Sequence, residues 1–396
     1  MPCPSYPNLV AWTCLQTGRV TPKVEGPPGC GKSRSIEAFA KALGRNCYPL
    51  IGSIRAPEDI GGYPKAIEDM FMAVLPPQWA WNAQHGKWII FHDELTTCSP
   101  PLQAAMLGVI AERRVGDFTL PEGVWQIAAC NPPDCAANGS ELEPPMANRL
   151  VHLTWETDYA GWEKAMQNGG QFSPPNFVAL PDDWEKCLHK TTGLLAAFHK
   201  HLPGRLEKYP TERSKVSGPW PSMRSWTNAG VCMAALSAID AEPLLRYRAL
   251  AGCVGEDVAL EYQEWESKLD LPDPETWIAH AIKVRQGHAT WDLDIPPRCD
   301  QVMAVLSSLV DRVKNHDLDP KTGKPTEARW LAGVDCFAEV AKNHMELAID
   351  GAAGLFTAMP HTKDAQELCA LVAKTPRDFC NSVLAIHRNI EAALKA

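Results

Sequence analysis

The stretch EGPPGCGKSRS, Glu25–Ser35, decides the reading of this chain. Gly26-x-x-x-x-Gly31-Lys32-Ser33 fits the phosphate-loop pattern without a departure. Its glycines let the backbone curl until successive N–H groups face one point, and the helix that follows adds its positive end. Such a cradle suits a nucleoside triphosphate, with Lys32 reaching the β- and γ-phosphates and the Ser33 hydroxyl on Mg²⁺. Gly26, Pro27, Pro28, Gly29, Cys30, Gly31, Lys32, Ser33 and Arg34 are therefore the expected nucleotide-binding residues. An apolar run before the loop and a helical pattern after it give the strand–loop–helix context that the mechanism requires.

Two further stretches carry chemistry. WIIFHDELTTCSP is a hydrophobic strand ending in adjacent acids, Asp93 and Glu94, at the edge where α/β sheets bind ligands. Asp93 is expected to hold the water shell of Mg²⁺, and Glu94 to polarise the attacking water; an acidic helix cap is the plainer alternative for an isolated pair. VWQIAACNPPD ends in Asn131, a neutral amide able to orient a water against a γ-phosphate without adding charge.

Residues 20–155 alternate short apolar runs with helical patterns, which predicts an α/β core with a parallel sheet. The expected strands are Val20–Glu25, Cys47–Ile51, Trp88–Phe91, Trp125–Cys130 and Leu150–Trp155, the first beginning after Pro22 because proline is awkward inside a central strand. Helices are expected at Arg34–Leu43, Pro101–Arg113 and Asp183–Leu202, with Ser222 capping another. YPTERSKVSGPWPS reads as a surface loop. Thr375, Pro376 and Asp378 start a last helix whose Phe379, Val383, Ile386 and Ile390 form a packing stripe. The organisation expected is a core over residues 1–155, an all-helical lid over 156–250 and a helical C-terminal extension over 251–396.

In their order, GPPGCGKS, IIFHDEL, AACNPPD, MANRL and WPSMRSW resemble the AAA+ ATPases, and within them the MoxR-type branch with its MoxR-like, CbbQ and NorQ proteins. The resemblance covers roughly residues 8–240; McrB nucleases and dynein motors share the wider clade. It implies the sensor-1 position for Asn131, the arginine finger that enters a neighbour's site for Arg149, and sensor 2, reaching the nucleotide from the lid, for Arg224. Asn148 stands where the family often has Asp, and Arg113 and Arg114 are rival fingers. A finger supplied in trans implies a ring, usually hexameric. ATP and Mg²⁺ follow as the ligands implied.

The long interval between Lys32 and Asp93 holds RAPEDIGGYPKAIEDMFMAVLPPQWAWNAQHGK. In the resembling family an insert here projects toward the ring pore, and a second hairpin precedes sensor 1, here RVGDFTLPEGVW with a turn at Pro121–Gly123. Tyr63, Phe71 and Met72 are then candidates to grip a polypeptide, or else pack the insert onto its own domain. The leading expectation is a remodelling ATPase that acts on a client protein, with a separate von Willebrand factor A domain partner as the family often has. The rival is a nucleic-acid-associated motor or restriction-type NTPase.

Composition ranks these. A formal net charge of −9 and a pI near 5.8 disfavour a general nucleic-acid binder. Longer apolar stretches such as Ala104–Ala111 are too short to span a bilayer, and MPCPSYPNLVAW lacks the charged-then-apolar order of a secretory signal. The 14 cysteines are scattered and read as small buried hydrophobes of a reducing compartment, so a cytoplasmic location is expected. Cys130 and Cys135 around NPPD are too few ligands for a metal, and the 12 histidines form no H-E-x-x-H.

Overall fold

The computed structural model describes residues 6–67, 70–132, 135, 141–212, 215–320, 322–356 and 358. The helix expected from Thr375 onward lies outside the described residues. The chain forms two compact units: one holds the residues up to Trp184 together with Arg205–Gln263, the other Glu185–Gly204 and the chain from Glu264 onward.

The first unit begins with α1 (Leu9–Gln16), β1 (Thr21–Glu25), α2 (Lys32–Ala42) and β2 (Asn46–Ile51). An insert follows: α3 (Pro57–Gly61), β3 (Tyr63–Ile67), β4 (Phe71–Leu75) and α4 (Gln78–Asn82). Then come β5 (Trp88–Asp93), α5 (Pro100–Glu112), β6 (Arg114–Val115), β7 (Phe118–Thr119), β8 (Trp125–Cys130), α6 (Pro144–Ala147), β9 (Leu150–Thr154) and α7 (Tyr159–Gln167). After α8 (Lys186–His201), which belongs to the second unit, the chain adds α9 (Met223–Ala238) and α10 (Pro243–Val254), and runs on into α11 (Glu256–Ser267).

The main sheet is parallel throughout, in the order β2-β5-β8-β1-β9. Parallel strands are covered on both faces, which is why Ile89, Ile90, Phe91 and His92 are all buried in succession. On one face Trp12, Ile36 and Phe39 pack over Val24, Phe91 and Ile127; on the other, Leu102, Met106 and Val109 cover Ile90 and Ala128. Trp12 and Phe39 stack with ring centroids 4.5 Å apart. Burying side chains of this size contributes about 1.5–3 kcal/mol each.

Pro22 corrects one expectation, because it lies inside β1 rather than before it. It pairs only with Val151 of β9, and pairing with β8 starts at Lys23, so the missing N–H costs no β1–β8 bond.

The insert is an antiparallel hairpin in which Tyr63, Phe71 and Met72 are 51%, 59% and 61% exposed. Each of the three therefore presents more than half of its surface to solvent. The second hairpin also departs from expectation: β6 pairs with β7 around Gly116 and Asp117, while Pro121–Val124 forms a separate turn. The two hairpins are fastened together. Asp117 Oδ2 accepts from the Val74 N–H at 2.8 Å, and the Asp117 N–H donates to the Val74 carbonyl at 3.2 Å. Gly116 permits this approach, since its φ is +61° and a Cβ there would stand 2.6 Å from the Val74 carbonyl oxygen. Gly116→Ala should therefore cost at least the ~1–2 kcal/mol of a left-handed residue. The check is the urea midpoint, and a variant as stable as the parent would refute the close approach.

Ser222 caps α9 as expected, accepting from the Ser225 N–H at 3.1 Å while the Ser225 hydroxyl accepts from the Ser222 N–H at 2.9 Å.

The second unit packs α8 with α12 (Pro274–Arg285), α13 (Cys299–Asn315), α14 (Glu327–Ala341) and α15 (Met345–Phe356). Trp277, Leu306, Leu309, Trp330 and Phe337 fill its core. Buried Arg329 donates to both Glu275 carboxylate oxygens at 2.6 Å, and Arg285 pairs with Asp335. Among the described residues no helix is long and apolar enough to cross a membrane.

Candidate functional site

Parallel pairing brings the C-terminal ends of β1, β5 and β8 side by side, where a doubly covered sheet presents its ligand edge. The residues leaving those ends are the phosphate loop, the Asp93–Glu94 pair and Asn131. Three stretches far apart in sequence therefore meet.

Gly29 and Gly31 have φ of +79° and +91°, and a Cβ at either would touch nothing. Their conformation demands glycine, and the space above them is open for a bulky anion. Pro27 and Pro28 are exposed beside them, and Gly26 is pinned below, where a Cβ would stand 2.8 Å from Trp155 Cβ. Trp155 also donates its indole N–H to the Cys30 carbonyl at 3.1 Å, which fixes the loop from beneath. This support was not foreseen, because nothing near Trp155 in sequence points to the loop. Arg34 is exposed and donates to Glu37 at 3.4 Å.

Lys32 is buried, and its ammonium donates to the Gly26 carbonyl at 2.6 Å, the Pro27 carbonyl at 2.9 Å and Asn131 Oδ1 at 2.9 Å. One cation thus ties the loop to the end of β8. The Ser33 hydroxyl donates to Asp93 Oδ2 at 2.9 Å, and the Glu94 N–H donates to Asp93 Oδ1 at 3.0 Å. Burial pushes the Asp93 carboxyl above its ordinary range, opposed by those two hydrogen bonds. A partly buried carboxylate touching a hydroxyl is a hard-oxygen donor pair, and it fits Mg²⁺ held by Ser33 directly and by Asp93 directly or through water. Among the described residues no group of three or more His, Cys, Asp or Glu side chains forms a metal cluster.

Glu94 takes a left-handed conformation, φ 58°, rare for a side-chain-bearing residue and costing about 1–2 kcal/mol. Its carbonyl accepts from the Thr97 N–H at 2.9 Å and the Thr97 hydroxyl at 2.8 Å, which holds that conformation. Strain held in place at the end of a strand, beside a buried carboxylate, is a signature of a functional position.

Arg149 and Arg224 are not with this group. Arg149 precedes β9, whose Leu150 pairs with Thr21 at the start of β1, whereas the phosphate loop follows Glu25 at its end. Four residue steps of β1, about 13 Å, separate the two edges. Arg224 stands beside Arg149: its Nη1 donates to Asn148 Oδ1 at 3.4 Å, and its charge, after burial, is what lowers the Arg149 pKa, against Glu112. The structure therefore brings the two arginines together on the edge away from their own loop. The rival Arg113 is engaged with the Pro121 and Val124 carbonyls.

His92, next to Asp93, is fully buried, and Nε2 meets Gln126 Oε1 at 2.9 Å. Burial pushes its pKa down to about 4. Between that value and the ordinary ~6.5 the unfolded chain binds a proton that the folded chain refuses, so stability falls as pH drops below about 6.5. His92 should contribute up to about 1.4 kcal/mol per pH unit there. Urea midpoints of the nucleotide-free protein from pH 7 to 5 check it: His92→Leu should lose that part of the slope, and an unchanged slope would contradict the assignment.

A cavity of about 710 Å³ adjoins Glu25, Thr154 and Tyr247 but is lined by none of residues 26–34, so it is not the phosphate site.

Residues 24–150 match the family model of the AAA domain, dynein-related subfamily. That span contains the whole phosphate loop, Asp93, Glu94, Asn131 and Arg149; Arg224 lies beyond it. No curated protein matches the chain. Among solved structures, a presumptive ATPase from Cytophaga hutchinsonii is similar at a TM-score of 0.41 and 14% identity, over 65% of this chain and 87% of that one.

Proposed function

We propose, from the premise that this chain is an ATP-hydrolysing AAA+ enzyme, that it works as a ring of the MoxR type and uses hydrolysis to remodel a client protein. The observation that carries the reading is the separation of parts. Loop, acid pair and Asn131 share one sheet edge, and Arg149 and Arg224 share the opposite one. One protomer cannot assemble all five around its own phosphate, but two copies placed edge to edge can.

In this mechanism the backbone N–H groups of residues 29–33 hold the β- and γ-phosphates. Lys32 exchanges the Gly26 carbonyl, the Pro27 carbonyl and Asn131 Oδ1 for phosphate oxygens, and so releases Asn131 to orient the attacking water. Glu94 accepts the proton as the water oxygen bonds to the γ-phosphorus and the bond to the ADP oxygen breaks. Ser33 and Asp93 would hold Mg²⁺, which would supply positive charge to neutralise the phosphate oxygens. The neighbour's Arg149 and Arg224 stabilise charge on the equatorial oxygens.

Tyr63, Phe71 and Met72 are the surface offered to the client, because exposing three large apolar side chains on one hairpin costs solubility unless they are used. The net charge of −9 favours a protein over a nucleic acid as that client. A von Willebrand factor A domain protein, encoded separately, is the proposed partner.

The test is affinity capture with Glu94→Gln protein in ATP, with and without Tyr63→Ser, Phe71→Ser and Met72→Ser combined. Proteins retained only by the intact hairpin support the reading. An identical retained set from both, or retention of DNA alone, would overturn it.

A further inference from the structure

Asn148 is buried, at 5% exposure, between the two arginines. It ends α6 and directly precedes Arg149. Its Oδ1 accepts from the Ser222 hydroxyl at 2.9 Å and from Arg224 Nη1 at 3.4 Å, and its Nδ2 donates to the Trp220 carbonyl at 3.4 Å. One residue further on, the Arg149 carbonyl accepts from Asn228 Nδ2 at 3.5 Å. The first turn of α9 is thereby fastened to the turn between α6 and β9. We infer that Asn148 is a positioning residue that yokes Arg149 to Arg224, so that both guanidinium groups enter a neighbouring protomer's phosphate site as one unit. This rests on the reading that the two arginines act in trans.

The physical case has three parts. Two guanidinium groups side by side repel each other, and each rides on a flexible stem, so a free pair would splay apart. The amide removes that freedom through backbone and side chain together: it holds Arg224 at a nitrogen, holds the helix cap at Ser222, and is covalently joined to Arg149. Arg149 is steadied on its other side by donation from Nη1 to the Pro145 carbonyl at 2.8 Å.

The neutrality of Asn148 matters as well. A carboxylate there would form a charge-assisted pair with Arg224 and hold its charge at home. An amide orients the guanidinium yet leaves its charge for the phosphate. The same logic explains why an isosteric change should be felt in turnover rather than in folding.

Asn148→Asp and Asn148→Ala are the variants, read by ATP turnover, by affinity for a fluorescent ATP analogue and by thermal midpoint. Each should lower kcat by at least about tenfold, the order expected of a misplaced transition-state group, with the ATP-analogue affinity held. Mixing either variant with Glu94→Gln chains should restore turnover, because the Glu94→Gln chain brings a correctly yoked arginine pair to the variant's intact site. A change of fold confined to the variant chain would not be rescued in this way. Normal turnover in both variants, alongside inactive Arg149→Ala and Arg224→Ala, overturns the role of Asn148 and leaves the trans reading standing. Lowered turnover without rescue on mixing, where Arg149→Ala is rescued, also overturns it. If Arg149→Ala itself is not rescued by Glu94→Gln chains, the trans reading falls first and the yoke with it.

Discussion

Arg149→Ala should lower ATP turnover by about 10³–10⁵-fold, the range set by an arginine acting on a transferring phosphoryl group. ATP affinity should change little, because Arg149 stands at the sheet edge opposite the loop that would hold the nucleotide in the same chain. Its present contacts explain why the loss would be chemical rather than structural. The side chain donates to the Pro145 carbonyl and is only partly buried. Removing it leaves no buried polar group without water, so the folding cost should stay within the ±0.5 kcal/mol typical of such positions. Arg224→Ala should follow the same pattern, since its guanidinium stands beside Arg149 and is exposed. A large rise in the Kd for ATP, with kcat preserved, would place the arginine on its own nucleotide and contradict this account.

Glu94→Gln should lower turnover by about 10²–10⁴-fold, the usual worth of a positioned general base. The substitution preserves shape and hydrogen-bonding reach but removes the proton acceptor. The backbone that aims residue 94 is held by Thr97 from one side and by Asp93 Oδ1 from the other, so an amide should occupy the same place. ATP should remain bound and uncleaved, with the assembled ring accumulating. Single-turnover quench measurements check the point; parent-like cleavage would remove Glu94 from the role.

Much of the core was legible because its signals are local. The apolar runs that became β5 and β8 are strands buried on both faces, and the loop glycines are required by backbone conformation, which sequence spacing records directly. Pro22 was misread because its tolerance depends on which neighbour starts pairing where, a fact of register that lies in two other strands. The turn of the second hairpin was misplaced because Pro121–Gly123 carries the stronger composition signal. Gly116 is chosen instead by the approach of Val74, 42 residues earlier in the chain.

The placing of Arg224 shows the same limit at the site. Resemblance of WPSMRSW pointed to an arginine reaching the nucleotide from the lid; the structure adds that this arginine stands beside Arg149, tied by Asn148 and Ser222. No spacing rule reports a hydrogen bond between residues 74 positions apart. Trp155 beneath the loop went unnoticed for the same reason, its partner Cys30 being 125 positions away.

The most direct measurement is ATP hydrolysis by a mixture of Arg149→Ala and Glu94→Gln chains, each inactive alone. If cleavage needs groups from two protomers, the mixture recovers turnover well above the sum of its parts, because one chain supplies the acid and the other the arginines. A mixture no more active than that sum, under conditions where the two chains demonstrably co-assemble, would contradict the account.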